Sequence, residues 1–356
     1  MLRLSGERFT ALQALAIANC RPALNDAAIL AWSNSGQINA TVLGHLKSYL
    51  QFRPAPVFGP YEIHPYIFRE TSQFNLNRKY LLLGTFPPNT YLHNIPKLAQ
   101  LSAVHPNVKT PPTVDFYYGN MASLWKFFGL AGPMTRNSII AFLTANSISI
   151  SDSILGAQRR KFVSSADQNL YNILPHQGLC KIFDPESLIE TILFTSGSLK
   201  EIKINNSGAI SFTSPNTLNI FLGILMRCNN TQKNGIEISG QPNGLGSFYK
   251  FDKMGLKQAI NDQNKHIIWW LRLKNRKLRI INLPTPAIGL GMISPKTFFG
   301  RWVGWKANQN GLPTPGVNLK DYMNQYANAF FPPYTNQYRK EIYDLAIHNI
   351  PVLQAI

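Results

Sequence analysis

Residues 79–88, Lys79-Tyr80-Leu81-Leu82-Leu83-Gly84-Thr85-Phe86-Pro87-Pro88, decide how the rest of the chain is read. Tyr80 to Leu83 form a short, unbroken apolar run that stops at Gly84 and two prolines. Such a run is the mark of a strand buried on both faces, as parallel strands are, opening into a loop. A strand covered on both faces needs a layer of helices on each side, and the loop after it is where α/β proteins hold ligands.

The segments that follow keep this alternation. Ser123–Phe128 and Arg136–Asn146 read as helices, Ile148–Ser153 as a strand, Ser165–Ile173 as a helix and Glu190–Thr195 as a second buried strand. Asn216–Arg227 is apolar enough for a core helix. His266–Leu273 and Leu278–Leu283 read as strands joined by the basic turn Lys274-Asn275-Arg276-Lys277. Helical patterns near Leu319–Phe330 and Asn336–Ile347 end the chain. The expected architecture is a three-layer α/β/α sandwich around a mostly parallel sheet. Its divisions are an N-terminal helical arm over residues 1–75, a main domain over 76–310 with an Asn-, Gly- and Gln-rich insertion near 229–265, and a C-terminal helical extension over 311–356.

Composition narrows the partners. Of 356 residues, 35 are Lys or Arg and 17 are Asp or Glu, a formal charge of +18, with the cations interleaved among apolar and aromatic residues. A folded basic surface of this kind suits the phosphates of a nucleic acid. Cys20, Cys180 and Cys228 are far apart and odd in number, which argues against a disulfide framework, a four-cysteine metal site and an iron–sulfur cluster. No cofactor is expected. No apolar stretch approaches the ~18 residues of a membrane span, and the first residues lack a secretory pattern. A cytoplasmic, reducing location follows as an expectation.

Two segments carry most of the chemistry: the loop Gly84-Thr85-Phe86-Pro87-Pro88, and Asp115-Phe116-Tyr117-Tyr118-Gly119-Asn120-Met121-Ala122-Ser123-Leu124-Trp125-Lys126 about thirty residues later. Together they resemble the uracil-DNA glycosylase superfamily, in particular its hypoxanthine- and mismatch-type branch. Four further segments follow in order: Ile150-Ser151-Asp152, then Arg159-Arg160-Lys161 with Ser164-Ser165-Ala166-Asp167, then Phe194-Thr195-Ser196-Gly197, then Ile280-Ile281-Asn282-Leu283-Pro284-Thr285-Pro286-Ala287. The resemblance spans about residues 79–305. It implies an enzyme that extrudes a base from double-stranded DNA and hydrolyses its bond to the sugar.

The residues suit that chemistry in their own right. An extruded base needs flat walls and polar groups. Gly84, Thr85, Phe86, Pro87 and Pro88 offer a rigid wall and backbone amides, and Tyr117 and Tyr118 offer ring faces. Either tyrosine could equally be core, and Trp125, at helical spacing from Phe128, reads as core. For gripping DNA the candidates are Arg159, Arg160 and Lys161, the turn Pro284, Thr285, Pro286 and Ala287, the apolar Ile288 and Leu290 as a wedge, and Lys296 and Arg301 as phosphate contacts.

The departures bear on mechanism. In the uracil-specific members the resemblance places a catalytic Asp and a His where this chain has Phe86 and Leu283. In the nearer branch a catalytic Asn stands three residues before the Trp, and here that place holds Ala122. Three readings follow: a relative retained for binding, an enzyme using Asn120 or Asp115 instead, or an Asn deliberately replaced by Ala. The last is preferred because the surroundings remain family-like. Pro88 stands where uracil-specific members place a Tyr that blocks substituents at carbon 5 of a pyrimidine. Room at that edge admits a base with a bulky 5-substituent beside uracil, hypoxanthine or a mismatched base. The resemblance, to a superfamily with a bacterial anti-phage member that removes glucosylated hydroxymethylcytosine from phage DNA, implies that bulky modified cytosine as the expected substrate, with uracil or hypoxanthine as alternatives, and the protein is expected to act as a monomer.

Overall fold

The computed structural model describes residues 62–64, 66–67, 73–87, 116–117, 122–159, 167–195, 202–204, 210–212, 217–228, 236–239, 249–250, 267–273, 276–284, 286 and 295–356. The strands are β1 (Glu62–Ile63), β2 (Tyr80–Gly84), β3 (Ile148–Asp152), β4 (Ile154–Arg159), β5 (Leu170–Pro175), β6 (Thr191–Phe194), β7 (Ile202–Ile204), β8 (Ile210–Phe212), β9 (Ile236–Ser239), β10 (Tyr249–Lys250), β11 (Ile268–Leu273) and β12 (Arg276–Asn282). The helices are α1 (Ala122–Phe127), α2 (Arg136–Ala145), α3 (Thr217–Cys228), α4 (Phe298–Gln309), α5 (Leu319–Gln325), α6 (Tyr334–His348) and α7 (Ile350–Ala355).

The central sheet has the order β10-β9-β11-β12-β6-β2-β3. β12, β6, β2 and β3 are paired in parallel, while β11 runs antiparallel to both β12 and β9. Alternation along each strand sends side chains into two separate cores. Tyr80 and Leu82 of β2, Leu193 of β6 and Ile281 of β12 enter one, with α1, α2 and the four C-terminal helices. Leu81, Leu83, Ile192, Phe194, Leu278 and Ile280 enter the other, with α3. This is the three-layer α/β/α arrangement expected from the continuous apolar strands.

Glycines end two helices where the backbone must turn left-handed. Gly129 (φ 87°) and Gly311 (φ 64°) follow α1 and α4. In each case the next residue's N–H reaches back to the helix, Leu130 to Trp125 O at 2.9 Å and Leu312 to Ala307 O at 2.9 Å, which satisfies the open carbonyls.

Several segments differ from the sequence expectation. Where a helix is expected over 165–173, the described residues form none: Asp167–Asn169 is a single 3-10 turn, and Leu170–Pro175 is a strand antiparallel to β4. The tertiary partner β4 overrides the weak helical pattern there. The stretch near 229–265 supplies β9 and β10 to the edge of the central sheet. The residues from 311 onward pack on the sheet as part of its helical layer: Tyr80 donates through its hydroxyl to Ile347 O at 2.8 Å and Tyr343 to Pro284 O at 2.8 Å. Most of residues 1–75, including the expected helical arm, lies outside the described residues; of the described ones, β1 is paired to β4 and Gln73 O accepts from Ile150 N–H at 3.3 Å.

Candidate functional site

The helices that follow β2 lie in one core and the helix that follows β6 lies in the other. β2 is followed in sequence by β3 on one side of it and β6 later by β12 on the other, so the order reverses between these adjacent strands, the place where open α/β sheets hold ligands. Gly84 closes β2 at this edge, Thr85 and Phe86 follow it, and Thr195 follows β6; all four are buried. Backbone bonds hold the lip formed by Gly84 to Phe86 in place: Ser153 N–H donates to Gly84 O at 2.9 Å and Ile154 N–H to Thr85 O at 3.1 Å. Leu283 N–H donates to Phe194 O at 2.7 Å, so the turn after β12 begins at the same edge.

A directional chain of hydroxyls begins at this edge. Thr85 Oγ1 donates to Asp167 Oδ2 at 2.7 Å. Its proton is thereby committed, so the 2.6 Å contact between Thr85 Oγ1 and Thr217 Oγ1 is a bond donated by Thr217. Thr217, the first residue of α3, is fully buried, Thr85 is nearly so, and Asp167 is partly exposed.

A second group lies at the end of β3. Asp152, paired in register with Gly84, accepts from His64 Nε2 at 2.8 Å, and both are buried. The other ring nitrogen, Nδ1, accepts the N–H groups of Tyr66 at 3.1 Å and Ile67 at 3.2 Å. Those donors leave Nδ1 without a proton and place it on Nε2. The His64 ring packs against Tyr117 (5.2 Å between centroids), Tyr66 (6.0 Å) and Phe86 (6.1 Å). It thus bridges the two cores beyond the end of the sheet. Nearby His176, fully buried beside Ser151 Oγ at 3.1 Å, is lowered to about 3, first by burial, against a smaller opposing effect of the Asp152 carbonyl.

The structure brings together some of the residues singled out in the sequence. Gly84, Thr85, Phe86 and Pro87 form the lip and are buried. Tyr117 is in the ring cluster, and Trp125 is wholly core. Ala122 is the first residue of α1. Phe86 and Leu283, at the ends of β2 and β12, are buried apolar groups. Pro284 and Pro286 are buried too. Arg159 ends β4, Lys296 is exposed, and Arg301 is partly buried on α4 with its guanidinium 4.9 Å from the Phe298 ring centroid. Phe299 and Trp302 of the same helix belong to the core, and Lys306 is bound to Glu341 at 2.7 Å. Pro88, Asp115, Tyr118, Asn120, Arg160, Lys161, Thr285, Ala287, Ile288 and Leu290 lie outside the described residues.

Sequence reading missed His64, which sits in a Pro- and aromatic-rich passage taken for part of an arm, and Thr217, hidden at the start of an apolar helix. Neither has a local signal. It also misjudged the cysteines: Cys180 is disulfide-bonded, so the inference of a reducing compartment from scattered, odd-numbered cysteines loses its basis. Among the described residues no helix is long and apolar enough to cross a membrane, and no three His, Cys, Asp or Glu side chains gather as a metal would require.

Fold and site together define an α/β/α protein with a buried cluster of polar and aromatic side chains at the carboxyl edge of its parallel strands. No protein-family model, curated protein or solved structure matches the chain.

Proposed function

We propose that the chain is a DNA glycosylase of the uracil-DNA glycosylase type, acting without a cofactor as a monomer on double-stranded DNA that carries a bulky modified cytosine, in defence against phage. The observation that supports this most is the position of the Gly84–Pro87 loop. It lies where the strand order reverses between β2 and β6, with Asp167 bound to Thr85 and with the His64 ring, held by Asp152, packed against Phe86. An extruded base needs such walls and polar edges, and the +18 charge of the chain supplies attraction for the phosphates around it.

In this reading the base enters beside Thr85 and Phe86, and the head of α1 faces the sugar. An amide at position 122 would orient water against the anomeric carbon. The methyl group of Ala122 cannot, and a missing preorganised donor costs roughly 2.7–4 kcal/mol of barrier. Ala122 also supports a second reading, a protein that binds modified DNA without cleaving it. The deciding experiment incubates the Ala122→Asn variant with DNA containing glucosylated hydroxymethylcytosine, with uracil or hypoxanthine DNA, and with plain DNA. Alkali-labile sites in the modified DNA alone support the enzyme as described. Sites only in the uracil or hypoxanthine DNA identify a repair glycosylase, and tight binding without such sites favours the non-catalytic binder.

A further inference from the structure

We propose that Phe331 is a DNA contact whose ring presses into the duplex at the carboxyl edge of the sheet; this rests on the glycosylase reading above, which puts the extruded base at that edge.

The direction of α6 sets the place of Phe331. Tyr343 donates through its hydroxyl to Pro284 O at 2.8 Å, and Pro284 stands just past the carboxyl end of β12. One turn later, Ile347 O accepts from the hydroxyl of Tyr80, the first residue of β2, and His348 Nε2 lies 3.2 Å from Asn146 Oδ1, just before β3. α6 therefore runs from the carboxyl edge toward the amino edge. Its first residue, Tyr334, precedes Tyr343 by about 13 Å along the axis at a rise of roughly 1.5 Å per residue, so the turn before it stands on the carboxyl side. α4 runs beside α6 in the same direction: Phe299 packs on Tyr338 with ring centroids 5.0 Å apart, and Lys306, further along, reaches Glu341 at 2.7 Å. The start of α4, with Lys296 before it and Arg301 in its first turn, is at the same end.

Phe331 is presented on a fixed backbone. Phe330 is buried against Trp302 and Tyr322, whereas Phe331, Pro332 and Pro333 are exposed. The buried amide of Gln337 clamps the chain on both sides of Phe330: its Oε1 accepts the N–H of Phe331 at 3.1 Å, and its Nε2 donates to Ala329 O at 3.0 Å. The two prolines restrict the backbone that follows. A ring held this way loses little freedom on binding. Among the described residues the large apolar side chains that stand exposed are Leu188, Val317 and Phe331, and Phe331 is the aromatic one. Phe and Pro are side chains that proteins press between base steps. Charge favours the same partner: neither α4 nor α6 has an acid in its first turn, Lys296 and Arg301 are at this end, and the whole chain carries +18.

The test measures binding of the full chain to a labelled duplex with one central 5-hydroxymethylcytosine, and to the same duplex with plain cytosine, by fluorescence anisotropy over a range of salt concentrations. Phe331→Ala should weaken binding to both about tenfold. The log–log salt slope and the melting temperature should stay unchanged, because an apolar contact releases no counterions, and Phe331→Tyr should keep most of the affinity. Leu188 is the control: it is 59% exposed against 58% for Phe331, but it stands just before β6 at the amino edge, so Leu188→Ala should bind as the unaltered protein does. Full affinity in Phe331→Ala, or an equal loss in Leu188→Ala, overturns the contact and leaves the glycosylase reading standing. A loss that comes with a changed slope or a lowered melting temperature also overturns it, since displaced cations or a disturbed fold then account for the effect. Failure of the unaltered protein to bind either duplex overturns the glycosylase reading and this inference with it.

Discussion

His64 and Asp152, 88 residues apart in sequence, meet at 2.8 Å beyond the end of the parallel strands, with the proton on Nε2 and the carboxylate as acceptor. The contact ties the segment before β2 to the end of β3. Removing the imidazole would leave a buried carboxylate without this donor, a change that costs about 3 kcal/mol. His64→Ala should lower the urea midpoint accordingly, and adding Asp152→Asn should recover part of the loss because no charge then remains buried. Equal losses in the single and double variants would show that the pair is not coupled.

His176 makes stability depend on pH. Its folded value, lowered to about 3, lies below the ordinary 6.5 of an unfolded histidine. Between those values the unfolded chain binds the extra proton, so the contribution of this residue is complete above about pH 6.5 and declines as pH falls toward 3. From pH 7 to pH 5 the loss is about 2 kcal/mol. Urea unfolding at the two pH values should show a steeper fall for the unaltered protein than for His176→Gln, by about that amount. Parallel falls would mean that His176 is protonated in the folded state.

Two glycines of α4 should respond in opposite directions to alanine. A Cβ on Gly300 would stand 2.5 Å from Pro295 Cα and 2.6 Å from its carbonyl oxygen, whereas one on Gly304 would meet nothing within 4 Å. Gly300→Ala should therefore cost roughly 1–3 kcal/mol through overpacking, and Gly304→Ala should add about 0.5–1 kcal/mol through the better helix propensity of alanine. Thermal melts of both variants check the pair. Equal shifts would show that the turn at Pro295 yields freely.

Salt dependence identifies the cations that contact DNA phosphates. Neutralising Lys296 or Arg301 should each lower the magnitude of the log–log salt slope by about one unit if it contacts a phosphate. Lys306, bound to Glu341 at 2.7 Å, should leave the slope unchanged when replaced by Gln. Anisotropy titrations over a range of salt concentrations measure this. An unchanged slope for both Lys296→Gln and Arg301→Gln would place the DNA face elsewhere.

Much of the fold was legible because its signal is local. Tyr80–Leu83 is apolar at every position, which only a strand covered on both faces can use, and the two cores it separates follow directly. The Gly84–Pro87 loop was readable for the same reason, since Gly and Pro end a strand whatever lies around them. Leu170–Pro175 was misread because its partner β4 is a tertiary fact: an isolated run of that composition supports a helix or a strand equally well.

The sequence by itself determined the layered α/β class, the net positive charge and the place of the loop after β2, because hydrophobic period and turn residues act over a few positions and charge needs only counting. Only the tertiary structure decided which groups gather at that loop. His64 and Asp152 meet across 88 residues, and Thr85 meets Asp167 across 82 and Thr217 across 132. No local pattern encodes such meetings. They follow from strand order, since placing β2 between β3 and β6 brings the carboxyl ends of all three strands to one edge of the sheet.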